Sequence, residues 1–256
     1  MAPAVMNRRN PSRRANVRRS SAVALSAKRS REPITGLQFF GDDGSVRVPS
    51  WVRDHASFRR WFHSDEFPET GRISFLNGEV YVDMSREQLY SHNQVKTEIT
   101  RVLAQIAKAE QSGHYFSDGV HLTHVGAELS ANPDGVFVNL ATFDDGRVLE
   151  IEGAREGLVE LEGLPDLVVE VVSKSSVVKD YETQRDLYWR AGIREYWLID
   201  ARGDELRFEI LRHTARGYVA TRSLAGWQKS GVLGKSFQLT RATDKRGQPD
   251  FTLFVR

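Results

Sequence analysis

Leu167-Val168-Val169-Glu170-Val171-Val172 is the stretch on which the fold turns. Five of its six residues are Leu or Val, the composition of a strand buried on both faces in the middle of a sheet. Glu170 interrupts the run, and a carboxylate there is costly to bury unless a cation or a hydrogen-bond donor compensates it. Downstream, a helical pattern runs over residues 179–191 and stops at Gly192, and Glu195-Tyr196-Trp197-Leu198-Ile199-Asp200 reads as a second strand. Strand, helix and strand at that spacing predict a right-handed parallel crossover.

Working outward, Asn77-Gly78 lies between two short β-type runs and predicts a hairpin over residues 73–82. Ser85 is placed to cap a long amphipathic helix reaching residue 108, with Leu89, Val95, Ile99, Val102, Leu103 and Ile106 largely on one stripe. A shorter amphipathic helix is predicted over residues 51–62. Asp118-Gly119 gives a second hairpin signal between residues 115–116 and 120–123, and a strand is predicted over residues 136–140, after Pro133-Asp134-Gly135. Residues 143–162 read as an acidic connector, and residues 206–211 and 217–221 as antiparallel strands. The fold class that follows is α/β, with a mixed central sheet flanked by helices.

Composition narrows the chemistry. The 256 residues include no cysteine, which removes disulfides, thiolate metal sites and cysteine nucleophiles together and fits a reducing cytoplasm. Any metal must sit on oxygen or imidazole ligands. No apolar run approaches the roughly 20 residues needed to span a bilayer, so no membrane partner is expected. Nine of the 36 Lys and Arg lie between Arg8 and Arg31, where no Asp or Glu occurs. Without them 27 basic residues face 34 acidic ones, a balance near −7. Residues 1–33 therefore read as a basic disordered leader and residues 34–256 as a single domain. A leader of this kind reads as a misassigned start, an Arg/Ser-rich transit peptide or a salt-sensitive nucleic-acid arm, and the first reading is preferred.

Asp134 opens a strand after Pro133, where its side chain reaches a cleft at the strand end. Two carboxylates brought together on neighbouring strands repel unless they share a hard cation, and Mg²⁺ takes a few such oxygens plus waters and substrate phosphates. Taken singly, an Asp between Pro and Gly is more often a turn residue, and a strand Glu pairs with a buried arginine such as Arg185 or Arg190. Glu79 reads as a third acidic group or an exposed turn residue, and spacing leaves both open. His92 likewise reads as a ligand, a proton carrier or a surface imidazole. His121 and His124 point to opposite faces of a strand, which argues against zinc. No Gly-rich phosphate loop, Gly-x-Ser-x-Gly elbow or His-Glu-x-x-His is present.

Asn77-Gly78-Glu79, His92, Asn132-Pro133-Asp134, Leu164-Pro165-Asp166, Glu170 to Ser173, Lys179-Asp180, Leu187-Tyr188 and residues 191–200 occur in one order and spacing. Over residues 73–218 the chain resembles the Uma-type restriction endonucleases of the PD-(D/E)XK nuclease superfamily. The resemblance implies a restriction-endonuclease-like core in which Asp134 and Glu170 bind Mg²⁺ or Mn²⁺. It implies that Glu79 completes the metal site and that His92 stands close by. Pro165-Asp166 lies too near Glu170 on the same strand to supply the motif Asp. Val172 stands where the superfamily has Lys, and Gln184 where many members supply it from the next helix. Lys179 is then the first choice to orient the attacking water and Lys174 the second. Arg185 is permanently protonated and excluded as a base.

The leading expectation is a metal-dependent endonuclease cutting phosphodiester bonds in DNA, with RNA as the other polymer the residues allow. The alternatives are a nucleic-acid-binding or regulatory module that kept the fold, motivated by Val172 and Gln184, and a hydrolase of small phosphoesters. Nucleases of this class often cut as homodimers to reach both strands, and no segment identifies an interface.

Overall fold

Leu167–Val171 forms a strand with all five residues buried, as its composition requires. The computed structural model describes residues 38–41, 44–69, 71–154 and 157–256; the leader expected over residues 1–33 lies outside them. In chain order the elements are β1 (Gln38–Gly41), β2 (Gly44–Arg47), α1 (His55–Phe62), β3 (Arg72–Leu76), β4 (Glu79–Asp83), α2 (Val95–Glu110), β5 (Gly113–Ser117), β6 (His121–His124), β7 (Leu129–Ala131) and β8 (Gly135–Asn139). There follow α3 (Leu140–Asp144), β9 (Val148–Glu152), β10 (Leu158–Gly163), β11 (Leu167–Val171), α4 (Gln184–Ala191), β12 (Glu195–Asp200), β13 (Arg207–Thr214), β14 (Gly217–Ala220), β15 (Gln228–Lys229), β16 (Ser236–Thr243) and β17 (Pro249–Val255). Single π turns, Leu89–Gln94 and Lys179–Thr183, lead directly into α2 and α4.

Two six-stranded sheets organise these elements, in the orders β14-β13-β12-β11-β8-β5 and β4-β3-β7-β6-β10-β9. Both are mixed. In the first, β11 and β12 are the parallel pair that the strand–helix–strand pattern predicts; in the second, β6 and β10 are parallel. Strand alternation then decides what each residue meets. Leu167, Val169 and Val171 pack with Val95, Ile99 and Leu103 of α2 and with the β16–β17 hairpin. Val168 and Val172 face the other way, onto Leu187, Tyr188 and Ala191 of α4 and onto Leu76, Leu122 and Leu129 of the second sheet. Glu170 shares that second direction, so its carboxylate enters the layer between α4 and the sheets.

Local signals account for the ends of several elements. Asn77 and Gly78 adopt φ of 54° and 86°, the paired positive values of a tight turn between β3 and β4. Gly192 ends α4 at φ 95°, its N–H and that of Ile193 closing on Tyr188. Asp54 caps α1 by accepting the Ser57 N–H at 2.8 Å, while Ser57 accepts the Asp54 N–H at 3.0 Å.

Three expectations are corrected. Ser85 does not cap α2, because the helix begins through a π turn and Ser85 instead meets Ser175 across a cleft. β5 and β6 do not form a hairpin, since β5 pairs with β8 in one sheet and β6 with β7 and β10 in the other. The acidic connector contains α3 and the antiparallel β9–β10 pair, whose apolar residues alternate with glutamates.

α1 is fastened to the outer face of the second sheet by Arg59, which reaches Glu160 at 3.0 Å and Glu162 at 2.6 Å, and by His63, 2.7 Å from Glu160. Burial alone would raise the Glu160 carboxyl, but the hydrogen bonds from Arg59 and Thr123 and the Arg59 charge hold it below its usual range. Removing one partner of a buried pair strands the other. Arg59→Met should therefore cost about 3 kcal/mol at neutral pH in urea denaturation. A lowered carboxyl contributes stability above its unfolded value and loses it as pH falls through the folded one. The deficit should thus shrink below about pH 4; a deficit unchanged in acid would assign the loss to packing instead.

Candidate functional site

Asp134 is delivered by the chain between β7 and β8. Asn132-Pro133 leads out of β7, and the antiparallel register sets Gly135 opposite Val169, which brings Asp134 alongside the end of β11. Asp134 Oδ2 there accepts the Val171 N–H at 2.8 Å. Gly135 is required, since a Cβ at that position would stand 2.0 Å from the Tyr115 hydroxyl.

Cations surround Asp134. Arg72 Nη1 of β3 and Lys96 Nζ of α2 each lie 3.7 Å from Oδ1, and His92 Nε2 of the π turn lies 3.5 Å from Oδ2. These cations have further carboxylates: His92 Nδ1 is 2.8 Å from Glu87, while Lys96 contacts Glu87 and lies 2.8 Å from Asp118. Burial would raise Asp134, but the hydrogen bond and charge of His92, the charge of Lys96 and the Val171 N–H together lower it. Burial would lower His92, and Asp134 and Glu87 outweigh it, so the imidazole sits above its ordinary value. Asp134 is a fully compensated anion.

Glu170 is not. Its Oε1 accepts from the Tyr188 hydroxyl at 2.7 Å, and that hydroxyl accepts from Gln184 Nε2 at 3.0 Å. Burial first, then repulsion from Asp180 and Asp134, raises Glu170 well above the carboxylate range against the pull of Lys179. Asp180 is pushed up to about 6 by burial, with Lys179 and the Ser176 hydroxyl opposing the rise. Lys179 Nζ lies 3.6 Å from Asp180 Oδ1, an oxygen with no hydrogen-bond partner, and Gln184 Oε1 is likewise buried without one. Burial would lower Lys179, but Asp180, Glu170 and Asp134 raise it. Its ammonium stays protonated at neutral pH.

The structure thus brings Asp134, Glu170, His92 and Lys179 to one centre. Glu79 stands elsewhere: it opens β4 opposite Leu76, at the far end of that strand from Asp83, and its carboxylate accepts from Tyr81 at 3.3 Å. Lys174 is exposed on the loop after β11. The arginine partners considered for Glu170 are engaged elsewhere, Arg185 with the Tyr218 carbonyl and Arg190 with Asp186. His121 stacks on Phe62 at 3.9 Å and His124 accepts the Ala127 N–H, so both are structural.

Lys96 and Arg72 were not singled out from the sequence, and Asp180 was noted beside Lys179 but given no role. The usable signal was the four-residue spacing of His92 and Lys96, one helical face.

The donor set suits a hard cation. Glu170 and Asp180 share one lysine, and an unpaired Asp180 oxygen and the Gln184 carbonyl lie beside them. Among the described residues no three His, Asp or Glu stand close enough to hold a metal by themselves. A dication here would complete its shell with water and substrate oxygens, the habit of Mg²⁺ rather than Zn²⁺. A cleft of about 490 Å³ leads in, lined among others by Arg72, Asp83, Ser85, Glu87, His92 and Ser173.

Comparison with known proteins bears on the family and the fold. A family model described as "Uma2: Putative restriction endonuclease" matches residues 56–243. The crystal structure of "a putative nuclease belonging to DUF820 from Anabaena variabilis ATCC 29413" superposes with a TM-score of 0.52 at 14% identity, covering 71% of this chain and 90% of that one. The shared architecture is α/β and restriction-endonuclease-like. No curated protein matches the chain. No helix among the described residues is long and apolar enough to cross a membrane.

Tyr188→Phe deletes the one side-chain hydroxyl that reaches Glu170 and strips Gln184 Nε2 of its acceptor. Because two buried polar groups lose a partner, thermal unfolding should report a loss of about 2 kcal/mol. An unchanged midpoint would show that water replaces the hydroxyl.

Proposed function

Since the chain belongs to the Uma2 family of restriction endonucleases, we propose that it is a divalent-metal-dependent endonuclease hydrolysing phosphodiester bonds in DNA. The observation that carries this reading is the juxtaposition of Asp134, ringed by Arg72, His92 and Lys96, with a buried and under-neutralised pair, Glu170 and Asp180, next to a cleft that Arg72 and His92 line. A buried carboxylate raised by its neighbours returns to its charged form when a dication arrives, so binding energy and charge neutralisation are coupled.

Asp134 and Glu170 are the residues that would hold Mg²⁺ or Mn²⁺. Bound there, such an ion supplies a more acidic water and a counter-charge for the phosphodiester. The side chains do the positioning. The Lys179 ammonium, kept protonated by three carboxylates, holds and orients a water without acting as its base. Arg72 lines the cleft and offers a permanent positive charge to the incoming phosphate. His92, fixed between Glu87 and Asp134, keeps Asp134 ionised and in place. Val172 and Gln184 are both buried where the superfamily would supply Lys. That departure favours a second reading, a nucleic-acid-binding module that does not cut.

Supercoiled plasmid separates the two. With Mg²⁺ or Mn²⁺ the wild type should nick, Asp134→Ala and Glu170→Ala should each reduce nicking by at least about 100-fold, and Lys179→Ala by about 10- to 1,000-fold. Protein that binds DNA and never nicks with either metal would establish the module reading. A second readout is independent of cutting: millimolar Mg²⁺ should raise the melting temperature of the wild type and not of Asp134→Ala.

A further inference from the structure

Three side-chain donors converge on one carboxylate in the loop after β4. Glu87 Oε1 lies 2.8 Å from His92 Nδ1 and also meets Lys96 Nζ, while Oε2 accepts from Asn93 Nδ2 at 3.1 Å. Glu87 is the outermost of the charged groups: its side chain is 31% exposed, those of His92 and Lys96 4% and 7%. Glu87 and His92 both line the cleft beside the site. The seat adjoins Asp134, because the same His92, through Nε2, and the same Lys96 lie 3.5 and 3.7 Å from that carboxylate.

A carboxylate so placed stands where a phosphodiester could stand. Each carries one negative charge on two free oxygens, and donors that suit one suit the other. Residues 84–88 belong to no strand or helix, so Glu87 can withdraw without unpairing β4 or unwinding α2. Its departure strands neither cation, since Lys96 keeps Asp118 at 2.8 Å and His92 keeps Asp134. A polynucleotide carries a phosphate at every nucleotide, so a strand engaged at Asp134 and Glu170 brings further phosphates alongside. Resting on the nucleic-acid reading above, we propose that His92, Asn93 and Lys96 form a second phosphate seat, which Glu87 fills until a backbone phosphate of the bound polynucleotide displaces it.

The first probe is inorganic phosphate, titrated calorimetrically into the full chain in EDTA. A seat filled by the chain's own anion lowers a competitor's apparent affinity by the fraction of time it stands vacant. Glu87→Ala should therefore bind phosphate at least about tenfold tighter than the wild type, and adding Asn93→Ala should take back most of that gain. Asp83→Asn removes the same charge from the same cleft but outside the donor set, and at physiological salt should change the affinity less than about threefold. An equal gain from Asp83→Asn, a gain that Asn93→Ala leaves intact, or no gain at all overturns the seat. Should Glu87→Ala not fold, Glu87→Asp, one methylene too short to reach all three donors, carries the same comparison. A duplex oligonucleotide in EDTA identifies the source of the phosphate: Glu87→Ala should tighten its binding too, and a gain confined to free phosphate overturns the assignment to a polynucleotide. None of these readouts requires cutting. A chain that passes them and never nicks plasmid refutes hydrolysis alone, while one that nicks and shows no Glu87 effect refutes the seat alone.

Discussion

A carboxylate in the middle of β11 is the constraint from which the site develops. Alternation along the strand turns Glu170 inward: its neighbours on that face are Val168 and Val172, which pack with α4. The ordinary remedy, a bond to a buried arginine, is not found at Glu170 among the described residues. The fold supplies instead a tyrosine hydroxyl, a lysine shared with Asp180 and the proximity of Asp134, which together leave the pair short of positive charge. On the proposed reading, stability is traded here for a cation site.

Asp134 shows the opposite solution a few ångströms of backbone away. Arg72, His92, Lys96 and the Val171 amide converge on it from β3, the π turn, α2 and β11, so four elements are tied to one carboxylate. Glu87 and Asp118 then hold the cations from outside. Two neighbouring acidic residues are thus shifted in opposite directions by what packs around them, the arrangement by which enzymes separate the roles of paired carboxylates.

What could be read from the sequence was what depends on near neighbours. The β11 run, the β3–β4 turn at Asn77-Gly78, the Gly192 stop and the parallel β12 all follow from residues within a few positions of each other. Asp118-Gly119 misled for a different reason: it carries a hairpin's turn chemistry, but β5 pairs with the more distant β8 while β6 turns into β7 in the other sheet. Of the site, Asp134 and Glu170 were legible because each is out of place locally, an acid after Pro and an acid among valines. Lys96 was not, since a lysine on a helix ordinarily faces water. Glu79 was assigned by resemblance alone, and the hairpin register carries it to the end of β4 away from Asp83.

Both helices that serve the site begin with a π turn, and this bears on how such chains drift during evolution. A π turn accommodates one residue more than an α turn, so a single extra residue can be absorbed there without disturbing the rest of the helix. Loss of one residue from the Leu89–Gln94 turn would rewind it and swing the residues on its N-terminal side about 100° around the axis, while the buried stripe of α2 stayed seated. Length changes in these two turns would therefore re-aim the residues ahead of α2 and α4 while leaving the core positions in register.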